Sequence, residues 1–244
     1  MLTVAAAALA AGLLVGLTGI GGVILVPVLT GIAGVPLERA IAACMLGFFF
    51  SSLYAAFIHL RRARLAWPPV IALSLAAAAG AALGAATLDR LPETGVRLFV
   101  AALALASGLH ALATRHAPGA RTPGAALLAF LGLALGYGSA ISGTGGPVML
   151  IPVLLLLRAP VNAAIALGVA SGLPITLAAS AVYGAAGRID YALASTLTVF
   201  LLAGMYAGAK LLHRLSSRAL VVAVAWTLIG VGLWFGLNSA ATLR

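Results

Sequence analysis

Apolar residues fall in long blocks separated by short polar links, and the blocks predict helices. Residues 1–17 are apolar and lead to a glycine cluster, Thr18 with Gly19, Gly21 and Gly22; a second apolar stretch, 23–33, carries Pro27. Each stretch is short for a span, which needs about 20 residues. One helix over 3–33 would run about 46 Å at 1.5 Å per residue. A hydrocarbon core is about 30 Å thick, and such a helix would hold the glycines and the proline in its middle. The pattern therefore predicts a helical hairpin with its tip at the glycines. Pro36 opens the next block, 37–60, which Arg61, Arg62 and Arg64 close. Further spans are expected at 67–88 and 94–113, with Asp89, Arg90, Glu93 and Arg97 around the link between them.

The pattern then restarts. Residues 125–141 lead to a second cluster, Gly143-Thr144-Gly145-Gly146, and 148–157 with Pro152 follow. Spans are expected at 161–183, interrupted by Ser171-Gly172-Leu173-Pro174, at 191–212 and at 219–237. A shift of 124 carries Gly19, Gly21 and Gly22 onto Gly143, Gly145 and Gly146. The same shift carries Pro36 onto Pro160, Arg64 onto Arg188, Gly80 onto Gly204 and Gly84 onto Gly208; Pro27 reaches Pro152 after a one-residue adjustment. The chain reads as repeat 1 over 1–116, a linker over 117–124 and repeat 2 over 125–244, forming one transmembrane domain. The expected fold is an all-α integral membrane protein of two repeats. Each repeat is a broken-helix, re-entrant-like hairpin plus three transmembrane helices.

Composition fixes the class. The 244 residues are 64% hydrophobic and 7% charged, where soluble domains run near 25% charged. The blocks are too long and too rich in alanine and leucine for a period-two barrel. Residues 1–11 lack the basic start of a signal peptide and align with the second repeat, so they are expected to be retained. Net charge is +10, but the basic residues lie in links, where topology and lipid headgroups account for them, and nucleic acid is not an expected partner. The lone cysteine, Cys44, excludes an internal disulfide and a cysteine-cluster metal site. No metal and no cofactor is expected.

Charge placement arbitrates between parallel and inverted halves. With four single spans per half, one side holds Arg61, Arg62, Arg64, Arg115, Arg121, Arg188 and Arg244, and the other Arg39, Arg90, Arg97, Arg158, Lys210, Arg214 and Arg218, which is 7 against 7. With hairpins, one side holds Arg61, Arg62, Arg64, Arg115, Arg121, Arg158, Lys210, Arg214 and Arg218, and the other Arg39, Arg90, Arg97, Arg188 and Arg244, which is 9 against 5. The positive-inside rule favours the inverted arrangement, with the nine-charge side cytoplasmic and both termini outside. Inverted hairpins bring their tips together near the midplane, where helix-start N–H groups make an anion site.

The expected substrate-binding residues are Thr18, Gly19, Gly21, Gly22, Pro27, Ser142, Gly143, Thr144, Gly145, Gly146, Pro152, Ser171 and Thr176. The glycines admit sharp turns and close approach of a ligand to backbone amides; the hydroxyls can donate to oxyanions. Arg61, Arg62 and Arg64 are topology markers that can also gather anions at the inner mouth. The four acidic residues, Glu38, Asp89, Glu93 and Asp190, all fall near links, which argues against a cation pump with a carboxylate relay and favours anionic cargo.

The segments GLTGIGGVILVPVL with GVPLERAIA, and SAISGTGGPVMLIPVL with APVNAAIALGVAS, resemble the sulfite exporter TauE/SafE family over nearly the whole chain. The resemblance implies a prokaryotic inner-membrane permease of two repeats that exports sulfite, sulfoacetate or other small organosulfonates, with the lipid bilayer as its surroundings. The family's glycine segment carries over to Gly19, Gly21, Gly22 and Pro27, and to Gly143, Gly145, Gly146 and Pro152. Two other readings stand beside exporter: a channel-like anion conductor, and a permease for another small carboxylate or sulfur compound. An intramembrane hydrolase using Ser142 lacks an oriented general base. Monomer and homodimer stay open.

Overall fold

The computed structural model describes residues 2–18, 22–59, 67–113, 123–157, 159–211 and 217–241. Gly19, Gly21, Arg61, Arg62 and Arg64 lie outside the described residues, as do residues 117–122 of the linker and the side chains of Thr18 and Pro152.

Every element among the described residues is helical. The first half holds α1 (Leu2–Thr18), a 3-10 turn (Gly22–Ile24), α2 (Leu25–Gly31), α3 (Leu37–His59), α4 (Trp67–Thr87) and α5 (Glu93–Ala113). The second holds α6 (Ala125–Ser142), α7 (Pro147–Leu156), α8 (Val161–Ala185), α9 (Tyr191–Leu211) and α10 (Ser217–Ala241). Among the described residues, five segments are long and apolar enough to cross a membrane: parts of α3, α6, α8 and α9, and α4 with the 3-10 turn Leu88–Arg90 that follows it. Large apolar side chains such as Trp67, Leu75, Phe130, Val199 and Leu237 stand exposed on the outside of the bundle, as lipid requires and water does not permit on this scale. The core lies between the halves: Leu25, Leu29, Ile41 and Met45 of the first half pack with Ile175, Tyr183 and Leu197 of the second.

The halves interlock. Helix α1 packs along α9, and α6 packs along α4. Both seams are made by glycines, because without lipid-excluded water to drive association, membrane helices gain from close van der Waals contact between backbones. A Cβ on Gly80 would strike the Leu133 carbonyl, and one on Gly204 would strike the Leu9 carbonyl. Gly84 meets Tyr137 as Gly208 meets Leu13, and Gly136 meets Ala77 as Gly12 meets Leu201. The second contact of each pair is the first with its residues exchanged between halves across the 124-residue shift. The third seam, α5 against α10, obeys the same rule: Gly108 faces Ala225 and Gly232 faces Ala101.

The interruption expected at Ser171–Pro174 is absent. Helix α8 runs unbroken from Val161 to Ala185 with Pro174 inside it. Proline removes one backbone donor, the one that would bond the Ala170 carbonyl, and a membrane helix tolerates this where it is packed within protein, as α8 is against α3, α4 and α7; the nearby hydroxyls bond other carbonyls. The Ser171 hydroxyl donates to the Gly168 carbonyl at 2.9 Å, and the Thr176 hydroxyl to the Gly172 carbonyl at 2.8 Å.

The acidic residues mark helix ends. Glu93 accepts from Arg97 at 2.7 Å within one turn. Asp190 accepts the Leu193 amide at 3.0 Å and caps α9. Asp89, in a 3-10 turn after α4, pairs with Arg188 of the other half, whose guanidinium also donates to the Ala85 carbonyl at 3.3 Å.

Candidate functional site

Between α6 and α7 the chain turns through three glycines in the left-handed region: Gly143 at φ 70°, Gly145 at φ 79° and Gly146 at φ 96°. A side chain at these positions would strain the backbone. Gly143 stops α6, and its amide donates to the Ser139 carbonyl at 3.0 Å; the Thr144 amide shares that carbonyl at 3.3 Å. Pro147 begins α7, where its missing N–H and fixed φ suit the first turn. The amides of Gly145, Gly146 and Val148 donate to no backbone carbonyl among the described residues. These are the orphan donors that any helix start leaves.

The equivalent segment of the first half ends α1 at Thr18 and resumes with the 3-10 turn at Gly22. Pro27 is buried in the first turn of α2, where proline is tolerated. The two segments touch: a Cβ on Gly22 would stand 2.8 Å from the Thr144 carbonyl oxygen. Gly143 faces Val26 and Ile41, and Gly146 faces Ile175 and Gly172. Segments from the two halves of the sequence thus share one buried contact.

Hydroxyls cluster there. Ser139, Ser142 and Thr144 are all buried; the Ser142 and Thr144 oxygens lie 3.0 Å apart and those of Ser139 and Thr144 3.5 Å. Tyr183 reaches across from α8 and donates to the Ala140 carbonyl at 3.1 Å, tying the end of α6 to the core. Ser171 and Thr176 are buried beside the second break, but their hydroxyls are committed to their own helix. Donating to a ligand instead would exchange a bond worth about 0.5–1.5 kcal/mol net.

Of the residues expected from sequence, Gly22, Pro27, Ser142, Gly143, Thr144, Gly145, Gly146, Ser171 and Thr176 lie in or against this buried region. Sequence reasoning missed Phe48 of α3. Its ring stands within 2.8 Å of a Cβ placed on Gly22 and within 3.0 Å of one placed on Gly145. The signal was available as a mismatch in the repeat, since the 124-residue shift sets Phe48 over Gly172. No group of three or more His, Cys, Asp or Glu suited to a metal occurs among the described residues.

A helical bundle with an exposed apolar exterior and five spanning-length helices is a multi-pass membrane protein. The chain belongs to the sulfite exporter TauE/SafE family, whose model matches residues 4–235. That is a family of membrane transporters. No curated protein and no solved structure gives a match to this chain.

Proposed function

We propose that the protein exports small sulfur-containing anions, such as sulfite, sulfoacetate or other organosulfonates, across the cytoplasmic membrane. The substrate site lies at the bilayer midplane between two helix breaks contributed by inverted repeats. The observation that carries this reading is the contact of Gly22 with Thr144, which joins the two glycine segments in a buried place lined by hydroxyls.

Helix direction supports the inversion. In the α5–α10 seam, Gly108 faces Ala225 and Ile229, while Gly232 faces Ala101 and Leu105. Sequence number rises along one helix as it falls along the other, so the two are antiparallel. These helices are equivalents in the repeat, and halves related by an axis along the membrane normal would set them parallel. Length supports the hairpins: α2 and α7, at 7 and 10 residues, span only about 10 and 15 Å at 1.5 Å per residue.

Charge supports the orientation. Asp89 with Arg188 and Glu93 with Arg97 belong to the proposed outer side, where acid and base pair. The links with Arg61, Arg62 and Arg64, and with Lys210, Arg214 and Arg218, hold no acidic residue in sequence and belong to the cytoplasmic side, with both termini outside. Arg61, Arg62 and Arg64 then gather anions at the inner mouth. The orphan amides of Gly145, Gly146 and Val148 and the hydroxyls of Ser142 and Thr144 hold the anion. All four acidic residues lie at helix ends, so none repels the cargo. A cytoplasmic anion leaves downhill in the membrane potential by about 2.3 kcal/mol per charge per 100 mV.

The test is flux from proteoliposomes loaded with sulfite, sulfoacetate and other sulfonates, with and without a pH gradient. Saturable efflux of at least one of these above empty vesicles is expected. Efflux no faster than from empty vesicles across the panel would refute the reading.

A further inference from the structure

Phe48 departs from the repeat at its centre, whereas several of the glycine contacts in the seams recur at equivalent positions. It sits at the middle of α3 and is 5% exposed. Its ring spans the space between the two breaks. The base of the ring, Cγ and Cδ2, lies 3.0 and 3.2 Å from the Cβ position of Gly145, and its far end, Cζ, lies 2.8 Å from that of Gly22. The shift of 124 turns Gly22 into Gly146 and Phe48 into Gly172. The equivalent contact is indeed formed, with the Cβ position of Gly146 3.2 Å from Gly172 Cα. The same pairing therefore occurs on both sides of the centre, but on the second side Gly172 brings no side chain and the aliphatic Ile175, with Cδ1 2.9 Å from the Cβ position of Gly146, packs there instead.

We infer that Phe48 closes the site and sets the size of anion it accepts. This rests on the transport reading above. The ring occupies the gap that an anion between Gly22 and Gly145 has to enter, so binding requires it to turn aside. A ring suits this place, because the edge of an aromatic carries the positive end of its quadrupole and its face the negative end. An edge turned toward the glycine amides does not repel an oxyanion as a carboxylate would. The absence of Cβ atoms at Gly22 and Gly145 is what lets the ring fit.

The experiment compares wild type with Phe48→Ala in proteoliposomes, using sulfite, methanesulfonate and benzenesulfonate. The benzenesulfonate-to-sulfite flux ratio is expected to rise about tenfold or more in the variant, the scale on which a pocket discriminates by size. An unchanged ratio, in a variant that elutes as wild type does on size exclusion and still moves sulfite, overturns the inference and leaves Phe48 as core packing. A second arm does not depend on cargo. Phe48→Cys in a Cys44→Ala background is treated with a membrane-impermeant anionic methanethiosulfonate, and labelling is expected. If wild type moves no anion, the transport reading fails while labelling at position 48 still supports an aqueous path that reaches this position. A folded, unlabelled Phe48→Cys protein overturns it.

Discussion

Gly22 and Thr144 meet at a distance that excludes a methyl group, since a Cβ on Gly22 would lie 2.8 Å from the Thr144 carbonyl oxygen. That carbonyl belongs to backbone held by the Ser139 carbonyl and by Gly143, so it cannot swing away as a flexible side chain would. Gly22→Ala is expected to separate the two segments. Overpacking of this kind costs about 1–3 kcal/mol, and a cost of that size added to the transport barrier lowers flux by about 5- to 150-fold. Sulfite efflux with a parallel melting curve checks it; wild-type efflux would show that the contact is not needed.

Gly145→Leu is expected to be more severe. The residue adopts φ 79°, and its Cβ would stand 3.0 Å from the Phe48 ring. Both the backbone and the ring oppose the change. Loss of flux with retained expression in the membrane fraction is the anticipated result. Gly187 has a similar φ of 67° with nothing near its Cβ position, which makes Gly187→Ala the control for backbone strain alone.

The seams predict matched effects. Gly80→Leu and Gly204→Leu each drive a side chain into a carbonyl of the other half, Leu133 and Leu9 respectively. Each is expected to destabilise the protein by about 1–3 kcal/mol or more, and the two are expected to lower the melting temperature in detergent to the same extent. A large difference between the two would contradict the equivalence of the seams.

Asp89 and Arg188 form an ion pair between halves, with side chains 44% and 21% exposed. At that exposure the pair is worth about 0.2–1 kcal/mol. A double-mutant cycle with Asp89→Ala and Arg188→Ala is expected to give a coupling in that range that shrinks with added salt. Arg188→Ala alone is expected to cost more than Asp89→Ala, because it also loses the bond to the Ala85 carbonyl. Equal losses would remove the second role.

Membrane sidedness is open to direct measurement. Reporters at Arg244 and in the 61–66 link are expected to read outside and cytoplasmic respectively. A cytoplasmic C-terminus would overturn the proposed inversion.

Much of the bundle was legible because lipid permits few solutions: long apolar blocks become helices, and charged links mark their ends. The break at Gly143–Gly146 was legible because three glycines close together, followed by proline, suit left-handed backbone and a new helix start. The region Ser171–Pro174 carries similar letters and was misread as an interruption. There a single proline costs one bond, that to the Ala170 carbonyl, in a helix packed against α3, α4 and α7, and the helix continues. Glycine opposite a carbonyl is a tertiary fact, and single-chain periodicity does not say which helix supplies that carbonyl. Phe48 was passed over for the opposite reason. Among apolar neighbours in a helix it looks like any core residue, and only its mismatch with Gly172 sets it apart.

The crossed seams have a consequence for how the molecule comes into being. Helix α1 leaves the ribosome long before α9, and until then its glycine stripe has no resting place; α4 waits likewise for α6. Each half is therefore expected to need the other to complete its packing. Each is one strand of a clasp, and severing the chain in the 117–124 linker should give two polypeptides that are degraded when made separately and survive when made together.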